Sequence, residues 1–236
     1  MVFDLFSELS ISPLFHLTLT IAAYLIGLAI YRRAGMTPLL NPVLIAVAIV
    51  VAVLLLAGIS YRAYFLGAQF LHFLLGPATV SLAIPLYRHF GKVRRAAAAI
   101  LISLLTGSAV AASSAVGIAW VLGGSEQSYI SLAPKSVTAP VAMGITEVLG
   151  GSPSLTAVMV IITGILGAVL GPYVLNMVGV TSWAARGLAM GTASHGIGTA
   201  RALQVNEEAG AFSGLAMGLN ALLTAILLPI IWYLIF

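Results

Sequence analysis

The residues with the clearest chemical content lie in Leu132–Met143, LAPKSVTAPVAM, where a lysine, two hydroxyls and two prolines interrupt sequence that otherwise reads as a membrane span. An ammonium at bilayer depth costs at least ~2.5 kcal/mol on insertion scales, so an intramembrane Lys135 is a functional residue by default. Pro134 lacks an N–H and has a preset φ, which suits the first position of a helix. The segment is therefore expected to break at Ala133-Pro134 and restart, aiming free N–H groups and a positive dipole end at mid-membrane beside Lys135, Ser136 and Thr138. That chemistry binds anions, and discontinuous helices of this kind build the sites of secondary transporters. The competing reading is a kinked structural helix whose lysine snorkels to an interface.

A second stretch, Ser182–Leu203, carries Arg186, Ser194, His195 and Arg201 among small residues. On a continuous helix Thr192, His195 and Thr199 share a face, and Arg201 points away from it. Unwinding over Gly196–Gly198 would let His195 and Arg201 reach one cavity. His195 is the candidate proton carrier, since imidazole titrates near neutrality. Its structural alternative is a neutral ring donating to a backbone carbonyl and holding two helices together. A third stretch, Leu75–Ser81, matches Leu132–Thr138 as small residue, proline, hydroxyl, valine and hydroxyl, which adds Thr79 and Ser81 to the candidate site. Paired interruptions in corresponding positions are the usual pointer to a transporter site. The expectation is breaks at Gly76-Pro77 and at Ala133-Pro134 whose restarted helices face a shared cavity.

Other chemistries find no support. There is no P-loop for nucleotide-driven transport. His195 lacks an HExxH context, which leaves no metal site, and no cofactor is expected. Ser194-His195 is not a catalytic dyad, because helix neighbours point about 100° apart. The chain is not expected to be an enzyme or to bind nucleic acid.

These stretches sit in a chain of 236 residues that is 61% hydrophobic and 7% charged, with mean hydropathy +1.14. Apolar segments of span length between short polar breaks predict an all-α polytopic membrane protein of about eight segments, with broken or re-entrant helices and an internal repeat of transporter type. The spans are read as Leu14–Tyr31, Val43–Ile59, a broken Tyr61–Phe90, Ala96–Leu122, the broken segment ending near Glu147, Leu155–Leu175, Ser182–Leu203 and Gly210–Phe236. The two early interrupted segments are read as crossings, with re-entrant hairpins as the alternative. Gly164, Gly167 and Gly171 line one helix face and suit packing rather than chemistry. In the last span Gly214, Gly218 and Asn220 are placed inward. Arg32, Arg33 and the cluster Arg88, Lys92, Arg94 and Arg95 mark cytoplasmic loops, which puts both termini outside. The first dozen residues do not resemble a cleavable signal peptide, and the absence of cysteine excludes disulfides and thiol chemistry.

The runs Pro134-Lys-Ser-Val-Thr-Ala-Pro140, Arg186–Arg201 (RGLAMGTASHGIGTAR) and Gly210–Met217 (GAFSGLAM), with Pro77-Ala-Thr-Val80 and Pro85-Leu-Tyr87, resemble the LrgB/CidB family of bacterial membrane proteins. That family is similar to the carboxyl-terminal half of the plastid glycolate/glycerate transporter. The resemblance extends from about Leu14 to the end, as one LrgB-like transmembrane domain over 1–236. Where the family has PKSVTTP this chain has Ala139, which removes a hydroxyl from that position. The resemblance implies transport of small monocarboxylates of the pyruvate, glycolate or glycerate class across the bacterial inner membrane. It also implies a small LrgA/CidA-like membrane partner, because the plastid protein has such a half fused in front and this chain lacks it. A homo-oligomer is expected. The other description the resemblance carries is of holin- or antiholin-like regulators of murein hydrolases and autolysis. A transporter needs a specific anion site, and a pore former or scaffold needs oligomerising faces. Burying Lys135, Arg186 and Arg201 favours the first.

Overall fold

The computed structural model describes residues 12–37, 40–81 and 83–235, with eleven helices among them. Four are long and apolar enough to cross a membrane, Pro13–Arg33, Ala97–Val121, Pro153–Met177 and Glu207–Leu234. The chain is an all-α polytopic membrane protein, divided along its sequence into two compact units, 1–81 and 82–236.

The first unit holds α1 (Pro13–Arg33), α2 (Pro42–Ala57) and α3 (Tyr61–Ser81). Prolines open α1 and α2, Asn41 caps α2 by accepting the Val43 N–H at 2.8 Å, and Gly58 ends it at φ 65°. Gly27 lets the backbone at Pro42 approach α1, since a Cβ there would lie 2.7 Å from the Pro42 carbonyl oxygen. Thr20 and Tyr64 share a hydroxyl hydrogen bond of 2.8 Å between α1 and α3. The expected break at Gly76-Pro77 is absent: α3 runs through Pro77 to Ser81. A proline inside a helix removes one i→i−4 bond and bends the ladder, but the turns on either side keep their own bonds. The likeness of Leu75–Ser81 to Leu132–Thr138 is therefore one of sequence and not of structure.

The second unit contains α4 (Ala83–Arg88), α5 (Phe90–Arg95), α6 (Ala97–Val121), α7 (Glu126–Leu132), α8 (Ala139–Leu149), α9 (Pro153–Met177), α10 (Trp183–Val205) and α11 (Glu207–Ile235). Arg88 pairs with Glu207 at 2.8 Å and Lys92 with Glu208 at 2.9 Å, so the basic segment and the start of α11 lie at one end, the basic face. From there α6 and α11 run in parallel. Ile100 and Leu104 pack on Phe212 and Ala216, Ser108 bonds Thr224 at 3.2 Å, and Val116 reaches the cluster around Trp232 at the opposite face.

The segment Glu126–Leu149 does not cross. Tyr129 and Ile130 from its start and Leu149 from its end join the same cluster with Trp232. The Ser152 N–H donates to Ser131 Oγ at 2.9 Å, and Thr146 and Thr156 share a bond of 2.8 Å. α7 and α8 are thus the arms of a re-entrant hairpin that returns to the face it entered, and not a crossing. This reverses α9, which runs from the opposite face toward the basic face.

α10 is a second re-entrant hairpin. His195 has φ 41° and ψ −133°, conformations foreign to a helix. Before it, Gly187 lies on Ala209 and Gly191 on Ser213, in parallel with α11. After it, Thr199 meets Ser213 and Leu203 meets Gly210, antiparallel to α11. The Met190 carbonyl comes within 2.7 Å of where a Gly198 Cβ would stand, an approach that eight residues of continuous helix would forbid. Ser182–Leu203 is therefore not a straight span, and its break is at His195 rather than over Gly196–Gly198.

The outcome is an inverted repeat. α6 and α9 each have 25 residues, and each is followed by a hairpin, Glu126–Leu149 entering from the opposite face and Trp183–Val205 from the basic face.

Candidate functional site

Residues 133–138 form the tip of the first hairpin. Lys135 N–H donates to the Leu132 carbonyl at 3.1 Å and Val137 N–H to that of Pro134 at 3.2 Å, which closes the turn on itself. Irregular backbone at membrane depth needs such satisfaction, or burial in protein. Pro134 is fully buried inside this turn and does not open a helix. The restart falls at Ala139, with Thr138 at the N-cap and Pro140 in the first turn, where a missing N–H costs nothing. The expected half-helix N-terminus exists, shifted by one turn. Thr138 is extended and makes no side-chain cap bond. Lys135 is half-buried and its ammonium donates to Ser136 Oγ at 3.4 Å, beside the positive end of α8.

At the second tip His195 is 5% exposed, and its Nε2–H donates to the Val160 carbonyl of α9 at 2.9 Å. A carbonyl only accepts, so Nδ1 is the ring position left to gain a proton. The His195 carbonyl accepts from Thr199 Oγ1 at 2.8 Å, and Thr199 shares a bond of 2.9 Å with Ser213 Oγ. Thr192 Oγ1 turns back to the Leu188 carbonyl, and the Thr192 carbonyl accepts from Asn220 Nδ2 at 3.1 Å. Among the described residues, Ser194 Oγ and Asn220 Oδ1 are buried with no hydrogen-bond partner. Orphaned acceptors of this sort are expensive, at about 1–3 kcal/mol each. The α9 glycines make the tip fit. A Cβ on Gly164 would stand 2.6 Å from the His195 ring, one on Gly167 would overlap Ser194 Oγ, and one on Gly171 would lie 2.5 Å from Met190 Sδ.

The two tips converge on Val160. Its carbonyl holds His195, and its side chain packs with Val137 and Ala142 of the first hairpin. The structure thus brings Lys135, Ser136 and Thr138 to one tip, Thr192, Ser194, His195 and Thr199 to the other, and both tips to one residue. Thr192 and Thr199 do not share one helix face: the Thr192 side chain lies against Gly107 in the groove facing α6, and Thr199 sits on the second arm against Ser213. Arg201 does not join His195. The second arm carries it toward the basic face, where it lines a cavity of 140 Å³ with Arg186. Arg186 closes the end of α9, donating to Asn176 Oδ1 and to the Val180 carbonyl at 2.8 Å each. Ser81 ends α3 in the first unit, and the Thr79 side chain lies outside those described. The sequence reading missed the Val160 carbonyl and Ser213. No side-chain pattern marks a carbonyl, and Ser213 differs in nothing from other helix serines until the hairpin folds onto it.

The family model described as the LrgB-like family matches residues 20–234. The holin-like protein CidB of Staphylococcus epidermidis is 36% identical over 213 residues, 90% of this chain and 93% of that protein. CidB of Staphylococcus aureus is 34% identical over 94% of this chain and 96% of its own length. Protein YxaC of Bacillus subtilis is 38% identical over 92% of this chain and 94% of its own. No solved structure matches.

Proposed function

The chain belongs to the LrgB-like family, and from that premise we propose that it is a secondary transporter of small monocarboxylates of the pyruvate, glycolate and glycerate class. The observation that carries the reading is the meeting of two oppositely entering hairpins at Val160, one bearing Lys135 and the other His195. The substrate carboxylate sits between them. Lys135 and the α8 N-terminus supply positive charge, Ser136, Thr138, Ser194 and Thr199 supply hydroxyls, and the Asn220 amide is the polar wall. Rocking of one repeat against the other opens the site to each face in turn. Protonation at His195 Nδ1 favours the bound carboxylate and the carboxylate favours the proton, so the two are carried together. The positive-inside rule puts the basic face in the inner-membrane cytoplasmic leaflet and both termini outside. A small LrgA/CidA-like protein is the expected membrane partner.

A second reading is favoured by the printed names of the staphylococcal relatives, which are holin-like. In it the chain regulates murein hydrolases and autolysis by assembling in the membrane. The groove of small residues between α6 and α10, lined by Ser103, Gly107, Ala111, Ala185 and Ala189, offers it a close-packing face. Thermal stability of the purified protein, measured across small carboxylates, separates the two. The transport reading expects one class of acid to raise the unfolding temperature in wild type and not in Lys135→Ala. Equal behaviour of the two proteins with every acid removes it.

A further inference from the structure

The cavity at the base of the second hairpin is not used by the tips. It lies between the two arms of α10, the end of α9 and the start of α11, with Arg186, Arg201 and Trp183 facing Leu175, Met190 and Ala202 across it. Its chemistry is divided. Two guanidiniums supply charge and directional N–H donors, the remaining walls are apolar, and among the described residues no carboxylate lines it. The acids nearest in sequence, Glu207 and Glu208, are each tied to a base, Arg88 and Lys92. Arg186 is held in place by neutral oxygens, those of Asn176 Oδ1 and the Val180 and Pro172 carbonyls, and lies 5.6 Å from the centre of the Trp183 ring. None of these contacts cancels its charge. The Arg186 guanidinium has five N–H donors, which leaves capacity beyond the three contacts named, and Arg201 lines the same cavity. The volume of 140 Å³ is that of about four or five waters.

We propose that this cavity is a second anion site, which binds a carboxylate of a few carbon atoms with its carboxyl group between Arg186 and Arg201 and its alkyl end against Leu175, Met190 and Ala202. Two forked donors suit a planar carboxylate, and the apolar wall favours an organic acid over inorganic phosphate. The site does not rest on the transport reading, because it binds with or without movement across the membrane. If both readings hold, the cavity is where an acid waits on the basic face before or after the hairpin tips.

Trp183 reports on the cavity directly. The full chain with Trp120→Phe and Trp232→Phe, in phosphatidylcholine nanodiscs, leaves Trp183 as its only indole. Titrated with sodium propionate against sodium chloride at fixed ionic strength, its emission should change saturably. Arg201→Gln should weaken that binding by about tenfold or more. Val205→Phe, which fills the mouth from a half-exposed position and leaves both charges, should weaken it as well and covers the case of an Arg201 variant that fails to fold. Lys135→Ala, which strikes the other site, should leave it unchanged, so loss of transport alone does not count against the cavity. The proposal is overturned if emission does not saturate, or if Arg201→Gln binds as wild type does. Phosphate binding at least as tightly as propionate overturns the carboxylate assignment, as does a signal produced by phosphatidylglycerol alone that propionate cannot displace.

Discussion

The backbone at His195 gives the sharpest test of the second hairpin, through a comparison of His195→Gly with His195→Ala. Both variants lose the same hydrogen bond to Val160 and the same ring packing against Gly164, so those losses cancel between them. What differs is the backbone. In a continuous helix alanine is more stable than glycine by about 1 kcal/mol. At φ 41° and ψ −133° the order reverses. A Cβ-bearing residue held there costs about 1–3 kcal/mol, while glycine adopts the conformation freely and gives back about 0.5–1 kcal/mol through the entropy of its unfolded chain. The balance is about 1 kcal/mol in favour of glycine, a swing of about 2 kcal/mol from the straight-helix expectation. Denaturant midpoints of the two purified variants, with equal slopes, read this difference. An alanine variant as stable as the glycine variant, or more stable, would mean that the chain does not turn at His195.

Two further outcomes follow from the same tip. Gly167→Ala should destabilise the protein by about 1–3 kcal/mol, because its Cβ overlaps Ser194, and adding Ser194→Gly should recover part of the loss in the same denaturant assay. An additive double variant would refute the contact. Uptake driven by an imposed pH gradient, acid outside, should be steep in wild type and flat in His195→Gln, which keeps polarity without titrating. If both respond equally, His195 only holds α9 to α10.

The sequence contained the composition, the limits of the long helices Pro13–Arg33, Ala97–Val121, Pro153–Met177 and Glu207–Ile235 to within a few residues, and the two stretches that bear the site. The break near Lys135 was legible because a lysine and prolines in apolar sequence have few other uses. Re-entry was not. Glu126–Leu149 and Trp183–Val205 are each about as long as a membrane span, and length alone does not separate a crossing from a hairpin. Only contacts between their two arms do, such as Ile130 with Leu149 and Met190 with Gly198. Pro77 was misread as a break because the same residue types at Pro134 sit in a turn. There the chain is closed by its own N–H groups, whereas α3 simply continues. His195 was expected to lie beside an unwound glycine stretch. The fold instead places the strained conformation on the histidine itself, leaving Gly198 free for the close approach of the returning arm. The sequence reading places Arg201 in the substrate site and counts buried Arg186 in favour of transport, both from their cost in a membrane, a cost that lapses near the basic face.

The central claim is that the converging tips carry a small carboxylate across the membrane, and counterflow in proteoliposomes addresses it most directly. Vesicles loaded with unlabelled pyruvate or glycolate and diluted into a trace of the labelled acid should accumulate label transiently above equilibrium when they hold the wild-type protein. They should not do so with Lys135→Ala, and an entrapped dye too large for the site should stay inside in both. Absence of counterflow for every small monocarboxylate, together with release of the dye, would contradict transport and assign the protein to a pore-forming role.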